Sequence, residues 1–207
     1  MIGVIDYGAG NTGSVMNALE RLGAPARFAR GPEELARDAP FDKILFPGDG
    51  HFGTTMASLE SAGYTEALRE WIRADRPFLG ICIGLQALFE NSEEAPGVPG
   101  LGVIRGTVKR FPGRKTPQIG WNSTRVISTA AGAGGRLFRG VPDNSFFYYI
   151  HSYYAACGER DAVTATAEYY LEYCSAVERG NCAAVQFHPE KSGAAGLVLL
   201  ENWLRFF

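Results

Sequence analysis

The chain is short of the features that most directly announce a function. Its 20 lysines and arginines nearly balance 22 aspartates and glutamates, for a formal charge of −2 at pH 7. Such a balance offers no electrostatic footprint for nucleic acid or an anionic membrane surface. No apolar run approaches the roughly 20 residues of a membrane-spanning helix, and the start, MIGVIDYG, lacks the basic and apolar regions of a signal peptide. A cytoplasmic protein is expected. The four cysteines, Cys82, Cys157, Cys174 and Cys182, form no CxxC pair, and the three histidines are scattered. Neither a zinc site nor a disulfide framework is therefore expected, and most of the cysteines read as small buried apolar residues. Internal repeats and low-complexity tracts are also missing.

What is present is an ordinary globular composition, 46% hydrophobic over 207 residues, enough for one α/β domain spanning 1–207 with a core of its own. Over the first hundred residues the pattern alternates as a parallel sheet with crossover helices demands. Strands are expected near 2–5, 25–29, 43–46 and 78–81, and helices over 12–22, 32–37, 54–73 and 84–91. Val15, Leu19 and Leu22 share one face of the first long helix, and Leu59, Leu68, Trp71 and Ile72 form a core stripe on another. Beyond EEAPGVPGLG the segments GVIRGTVKRF, SFFYYIHSYYAA, AVTATAEY and CAAVQF turn β-branched or aromatic. They predict antiparallel or mixed sheet beside the parallel one. TAAGAGGR reads as an exposed loop, and GAAGLVLLENWLRFF as a closing helix.

Three stretches carry chemistry. In VIDYGAGNTGSV, Gly8, Gly10 and Gly13 spell GxGxxG between a strand and a helix, the context of a dinucleotide-binding turn. The acid expected at the end of the next strand is missing, since ARFAR ends in Arg30, so a plain strand-to-helix turn competes with that reading. In PFLGICIGLQALF, Cys82 lies between Gly80 and Gly84 after a buried strand and before a helix. A sharp turn of this form exposes its central side chain at a helix N-terminus, where free N–H groups favour a thiolate and a developing oxyanion. The competing reading is a buried cysteine in a glycine-flanked turn. In VQFHPEKS, His188 follows an apolar strand and Glu190 stands two residues on, the same side of an extended segment. There the carboxylate is able to accept from the imidazole and hold its tautomer. Taken alone, His188 also reads as a polar residue closing a strand.

GICIGLQ together with FHPEKS resembles the class I, or triad, glutamine amidotransferases. DYGAGN, LFPGDGHFG, GWNS and YYIHSYY, in that order, make the chain similar to the glutaminase subunits of imidazole glycerol phosphate synthases. The resemblance spans essentially the whole chain. It implies a flavodoxin-like α/β fold with Cys82 as nucleophile, His188 as acid and base, and Glu190 as the orienting carboxylate. It also implies oxyanion donors at Ile83 and in the PGDG loop around Asp49 and Gly50, and a substrate subsite from Gln86, Glu94 and Ser152. Asn11 and Lys191 match partner-interface positions. The implied partners are L-glutamine and a separate (β/α)8 cyclase subunit in a 1:1 heterodimer, with no cofactor. Asp49 stands where an apolar residue is usual, and a carboxylate there repels an oxyanion unless it points away. Gln118 replaces the commoner histidine, and His151 reads as structural. Two alternatives remain: a sister glutaminase serving another acceptor enzyme, and a non-catalytic nucleotide-binding or regulatory module on the same fold.

Overall fold

The computed structural model describes residues 1–8, 12–38, 40–113, 115–129 and 132–207. Four short apolar strands, β1 (Ile2–Val4), β2 (Ala26–Phe28), β3 (Lys43–Phe46) and β4 (Phe78–Ile81), alternate with helices α1 (Thr12–Arg21), α2 (Phe52–Ser61) and α3 (Tyr64–Arg73). A brief helix α4 (Ile83–Gln86) follows β4. The second half supplies β5 (Asn91–Ser92), β6 (Gly106–Arg110), β7 (Gln118–Val126), the small hairpin β8 (Ser128–Thr129) and β9 (Gly132–Ala133), then β10 (Ser145–His151), β11 (Tyr153–Cys157), β12 (Val163–Tyr169), β13 (Leu171–Arg179) and β14 (Cys182–Val185). Helix α5 (Gly193–Phe206) closes the chain.

One sheet runs β10-β7-β12-β13-β14-β4-β3-β1-β2, with β6 and β11 branching from β13. β14, β4, β3, β1 and β2 are mutually parallel, whereas on the other side of β14 the strands pair antiparallel except for the short β5 beside β6. The antiparallel strands expected beside the parallel sheet thus continue it edge to edge. Side chains alternate across the sheet, Ile44 and Phe46 to one face and Leu45 to the other. On the first face they meet Leu59, Leu68, Trp71 and Ile72 of α2 and α3. On the second they meet Val15 and Leu19 of α1 and Leu199, Leu200 and Trp203 of α5. All of these are buried, each large side chain contributing ~1.5–3 kcal/mol of transfer free energy.

The expected helix over 54–73 is two helices. Gly63, left-handed at φ 76°, ends the first and precedes the second, and Leu59 still shares the stripe of α3 because both lie on one face of the sheet. The expected helix over 84–91 stops at Gln86. The carbonyls of Ala87, Leu88 and Phe89 accept instead from the N–H groups of Leu101, Val103 and Gly102, so tertiary bonds replace helical ones. Cys174 and Cys182 are buried, as expected, Cys157 is half-buried, and Cys82 is buried too, where its turn was expected to expose it.

Candidate active site

The register of two neighbouring parallel strands builds the site. Val185 of β14 lies opposite Ile81 of β4, so Cys82 and the segment after Val185 leave the sheet side by side at its C-terminal edge, where open α/β sheets hold ligands. The Cys82 N–H donates to the Val185 carbonyl at 2.8 Å. Cys82 itself has φ 54° and ψ −101°, a strained conformation that a non-glycine residue keeps only where its surroundings fix it. Those surroundings require the two flanking glycines. A Cβ on Gly80 would come within 2.6 Å of the Gly84 carbonyl oxygen, and one on Gly84 would collide with the carbonyl oxygen of Phe46.

His188 is 3% exposed, and its N–H donates to the Tyr148 carbonyl of β10 at 2.9 Å. Nδ1 donates to Glu190 Oε1 at 2.8 Å, with both side chains almost wholly buried. This fixes the tautomer and turns Nε2 away from the carboxylate. Burial opposes a charged ring, but the adjoining Cys82 sulfur and the Glu190 carboxylate outweigh it and push His188 up to about 10. Nε2 makes no other hydrogen bond among the described residues. The arrangement can hold a thiolate against an imidazolium and then move a proton at Nε2.

The other two histidines are occupied elsewhere. His51 is exposed and caps α2, its Nδ1 accepting from the Gly53 N–H at 3.1 Å. His151 donates from Nδ1 to the Tyr153 carbonyl at 2.7 Å inside a cluster of Phe111, Tyr149 and Tyr173. Burial holds it down to about 4, a neutral ring throughout the physiological range. Gln118 lies in this cluster too, accepting from the Tyr173 hydroxyl at 3.1 Å.

The remaining expected residues surround Cys82 unevenly. Ile83 opens α4, and a Cβ on Gly48 would meet its Cγ2 at 2.8 Å, so the PGDG loop packs directly on the turn. Asp49 and Gly50 are exposed in that loop. Glu94 is half-buried and accepts from the Phe52 N–H at 2.7 Å, tying its own loop to the start of α2. Ser152 is half-buried between β10 and β11, and Lys191 sits on a 3-10 turn, Pro189–Lys191, directly after the histidine. Asn11 and Gly10 lie outside the described residues. Gln86 is 4% exposed, and its Nε2 donates both to the Tyr153 carbonyl and to Gln186 Oε1, each at 3.1 Å. Gln186 was not singled out from the sequence, yet it is fully buried with its Nε2 3.5 Å from the Cys82 sulfur. The sequence held a hint of it, since Gln186 directly follows the apolar run of β14 and stands two residues before His188.

Residues 3–205 match the family described as Glutamine amidotransferase class-I. The chain belongs to the class I glutamine amidotransferases. Within them it is 46% identical over 203 residues to the Moorella thermoacetica protein named Imidazole glycerol phosphate synthase subunit HisH, covering 98% of this chain and 93% of that one. The Chlorobaculum tepidum protein of the same name is 44% identical over 209 residues, all of both chains. An Emericella nidulans protein named Imidazole glycerol phosphate synthase hisHF is 44% identical over 212 residues that make up 97% of this chain and 37% of that one. Among solved structures, PurLQS from Thermotoga maritima superposes with a TM-score of 0.77 at 16% identity, covering 99% of this chain and 97% of that one. A crystal structure described as a glutamine amidotransferase gives 0.73 at 21%, covering 98% of each. These two speak to the fold alone. Its described residues contain no His/Cys/Asp/Glu cluster suited to a metal ion and no helix long and apolar enough to cross a membrane.

Proposed function

We propose that this amidotransferase is the glutaminase subunit of an imidazole glycerol phosphate synthase, acting as one domain over residues 1–207 in the cytoplasm and in histidine biosynthesis. The observation that carries the chemistry is the buried His188–Glu190 pair set against Cys82 at the ends of adjacent parallel strands. The Cys82 thiolate attacks the side-chain amide carbon of L-glutamine, and the carbonyl electron pair moves onto oxygen. Donors near Ile83 and the loop of Asp49 and Gly50 receive that charge. His188 Nε2 gives its proton to the departing nitrogen, which leaves as ammonia, and a thioester remains on Cys82. Water then adds to the thioester while Nε2 takes its proton, and glutamate departs with the thiolate restored. Glu190 holds the ring and supports its charge throughout. Glu94, half-buried and anionic, suits an α-ammonium group, with Gln86 and Ser152 completing the amino-acid subsite.

The partner in this reading is a (β/α)8 cyclase, joined 1:1, that receives ammonia directly. Near full-length likeness to proteins named as synthase subunits supports it, as does the longer fungal relative in which the matched part is 37% of a chain named for the synthase. A surface feature also supports it. Ile119, Trp121 and Phe146 are 62%, 57% and 60% exposed, and the register sets Trp121 beside Tyr148 and Ile119 beside Ile150 on the outer face of β7 and β10. An exposed apolar patch of this kind marks an interaction site. Its strand β10 is the one whose Tyr148 carbonyl holds the His188 backbone and whose Ile150 carbonyl lies 3.9 Å from the Cys82 sulfur. A partner seated there would press on the catalytic residues. Lys191 and Asn11 extend the proposed interface. Glutamate release, measured with the chain alone and with a candidate cyclase plus its nucleotide substrate, tests the reading. A large rise with the liganded cyclase is expected, and turnover indifferent to it would point to another acceptor enzyme.

A further inference from the structure

The polar groups behind the nucleophile form a chain whose direction is set at one end. The Tyr153 carbonyl can only accept, and it takes His151 Nδ1 at 2.7 Å and Gln86 Nε2 at 3.1 Å, one donor for each lone pair. Gln86 must therefore present its NH2 group there, and its second N–H goes to Gln186 Oε1 at 3.1 Å. With its oxygen taken, Gln186 has to aim its NH2 group the other way, and Nε2 lies 3.5 Å from Cys82 Sγ. Flipping Gln86 would set its oxygen against the Tyr153 carbonyl, an acceptor against an acceptor, and flipping Gln186 alone would set its NH2 group against that of Gln86, a donor against a donor. The backbone of Gln186 is pinned as well, its N–H donating to the Ser175 carbonyl at 2.8 Å.

From this we infer that Gln186 is a positioning residue for the nucleophile: its side-chain amide, locked by Gln86 and the Tyr153 carbonyl, donates to the Cys82 sulfur and holds the thiolate toward substrate. A buried anion without a donor is costly, and a preorganised N–H offsets that cost without any rearrangement during turnover. His188 faces the same sulfur as its proton partner, so the sulfur is held by two groups of different kinds. The imidazolium gives up its proton during the reaction, whereas the amide keeps its own. Gln186 therefore supports the thiolate both before attack and when it is released from the thioester. The inference rests on the assignment of Cys82 as nucleophile.

The test is the pH profile of Cys82 alkylation by iodoacetamide, followed at the Cys82 peptide by mass spectrometry in the full chain. In Gln186→Met, which keeps the volume and removes both polar groups, the profile is expected to move to higher pH by about one unit. The rate near neutrality is then about tenfold lower. Gln86→Met, which unlocks Gln186, is expected to move the profile the same way by less. In glutaminase assays with the cyclase present, kcat falls in both variants with KM little changed for Gln186→Met. A folded Gln186→Met protein with the wild-type profile would overturn the inference, because a merely structural glutamine would lower thermal stability and leave the profile in place. If Gln186→Met does not fold, the wild-type chain decides by NMR. The Gln186 side-chain amide protons should titrate with the Cys82 alkylation midpoint and stay constant in Cys82→Ala, and an amide that ignores the thiol overturns the inference. Failure of the nucleophile assignment looks different: Cys82→Ala would retain turnover.

Discussion

The two buried histidines, His151 and His188, are driven in opposite directions by what surrounds them. His151 ends β10 among Phe111, Tyr149 and Tyr173, with one carbonyl to donate to, and burial takes it down to about 4. His188 is buried almost as deeply, but it has a carboxylate on one nitrogen and a thiol beside it and is raised to about 10. Burial alone does not decide which way a histidine shifts. The difference is that His188 lies where two parallel strands end, with other groups to stabilise its charge, whereas His151 lies where the antiparallel strands pack a wall. The His188 charge adds a smaller push on His151 in the same direction as burial.

Substitution should break this contrast most sharply at the catalytic end. Cys82→Ala is expected to lower glutamate release by at least about 10³-fold, the scale seen when a nucleophile is deleted from a triad. Glu190→Gln should cost about 10²–10⁴-fold in kcat with little change in melting temperature, because the ring stays in place while its charge loses support. His151→Phe is expected to do the reverse. It should lower stability by about 1 kcal/mol, through the hydrogen bond lost at the Tyr153 carbonyl, which keeps Gln86 as a donor, and lower turnover by less than about tenfold. Denaturant unfolding beside steady-state rates would separate the two.

The pH dependence sharpens the same contrast with a smaller effect. His151 has a folded pKa below its ordinary 6.5, so its contribution is complete above about 6.5 and is lost as pH falls through about 4, when the unfolded chain takes the proton. His188 has a folded pKa above 6.5, so its contribution is complete below about 6.5 and fades as pH rises through about 10. Melting temperatures across pH 4 to 10 should show the acid loss flattened in His151→Phe and the alkaline loss flattened in His188→Gln. Least in effect on the chain alone is Trp121→Ser. It should weaken the apparent affinity for the cyclase by roughly tenfold, the cost of a central aromatic anchor, without lowering the melting temperature. Titration of glutamate release with the cyclase would read it.

Much of the catalytic end was legible in the sequence because its constraints are local. A strand buried on both faces reads as an apolar run, so β3 and β4 fall at 43–46 and 78–81 as expected. Gly80 and Gly84 bracket Cys82 because neither position has room for a Cβ, and that requirement is written in the sequence itself. Glu190 does meet His188, though through a 3-10 turn at Pro189–Lys191 rather than the extended segment the spacing suggested. The antiparallel half was less legible. Between Tyr173 and Val177, β13 buries Cys174, Ser175 and Ala176, small residues with little β signature of their own, and it forms because β12 and β14 flank it on either side. The early end of α4 was hidden for a similar reason, since the loop of residues 100–104 that takes its next carbonyls is distant in sequence. Gln186 sat inside a quoted motif, but its role depends on Gln86 and Tyr153, which only the fold brings to it.

The proposed chemistry passes through a covalent intermediate at Cys82. Acid quenching of the chain during turnover of labelled glutamine, followed by mapping of the label, examines it directly. The account predicts a glutamyl thioester on the Cys82 peptide, lost in Cys82→Ala and longer-lived in Glu190→Gln. Steady turnover with no label on Cys82, or with label on another residue, would contradict it.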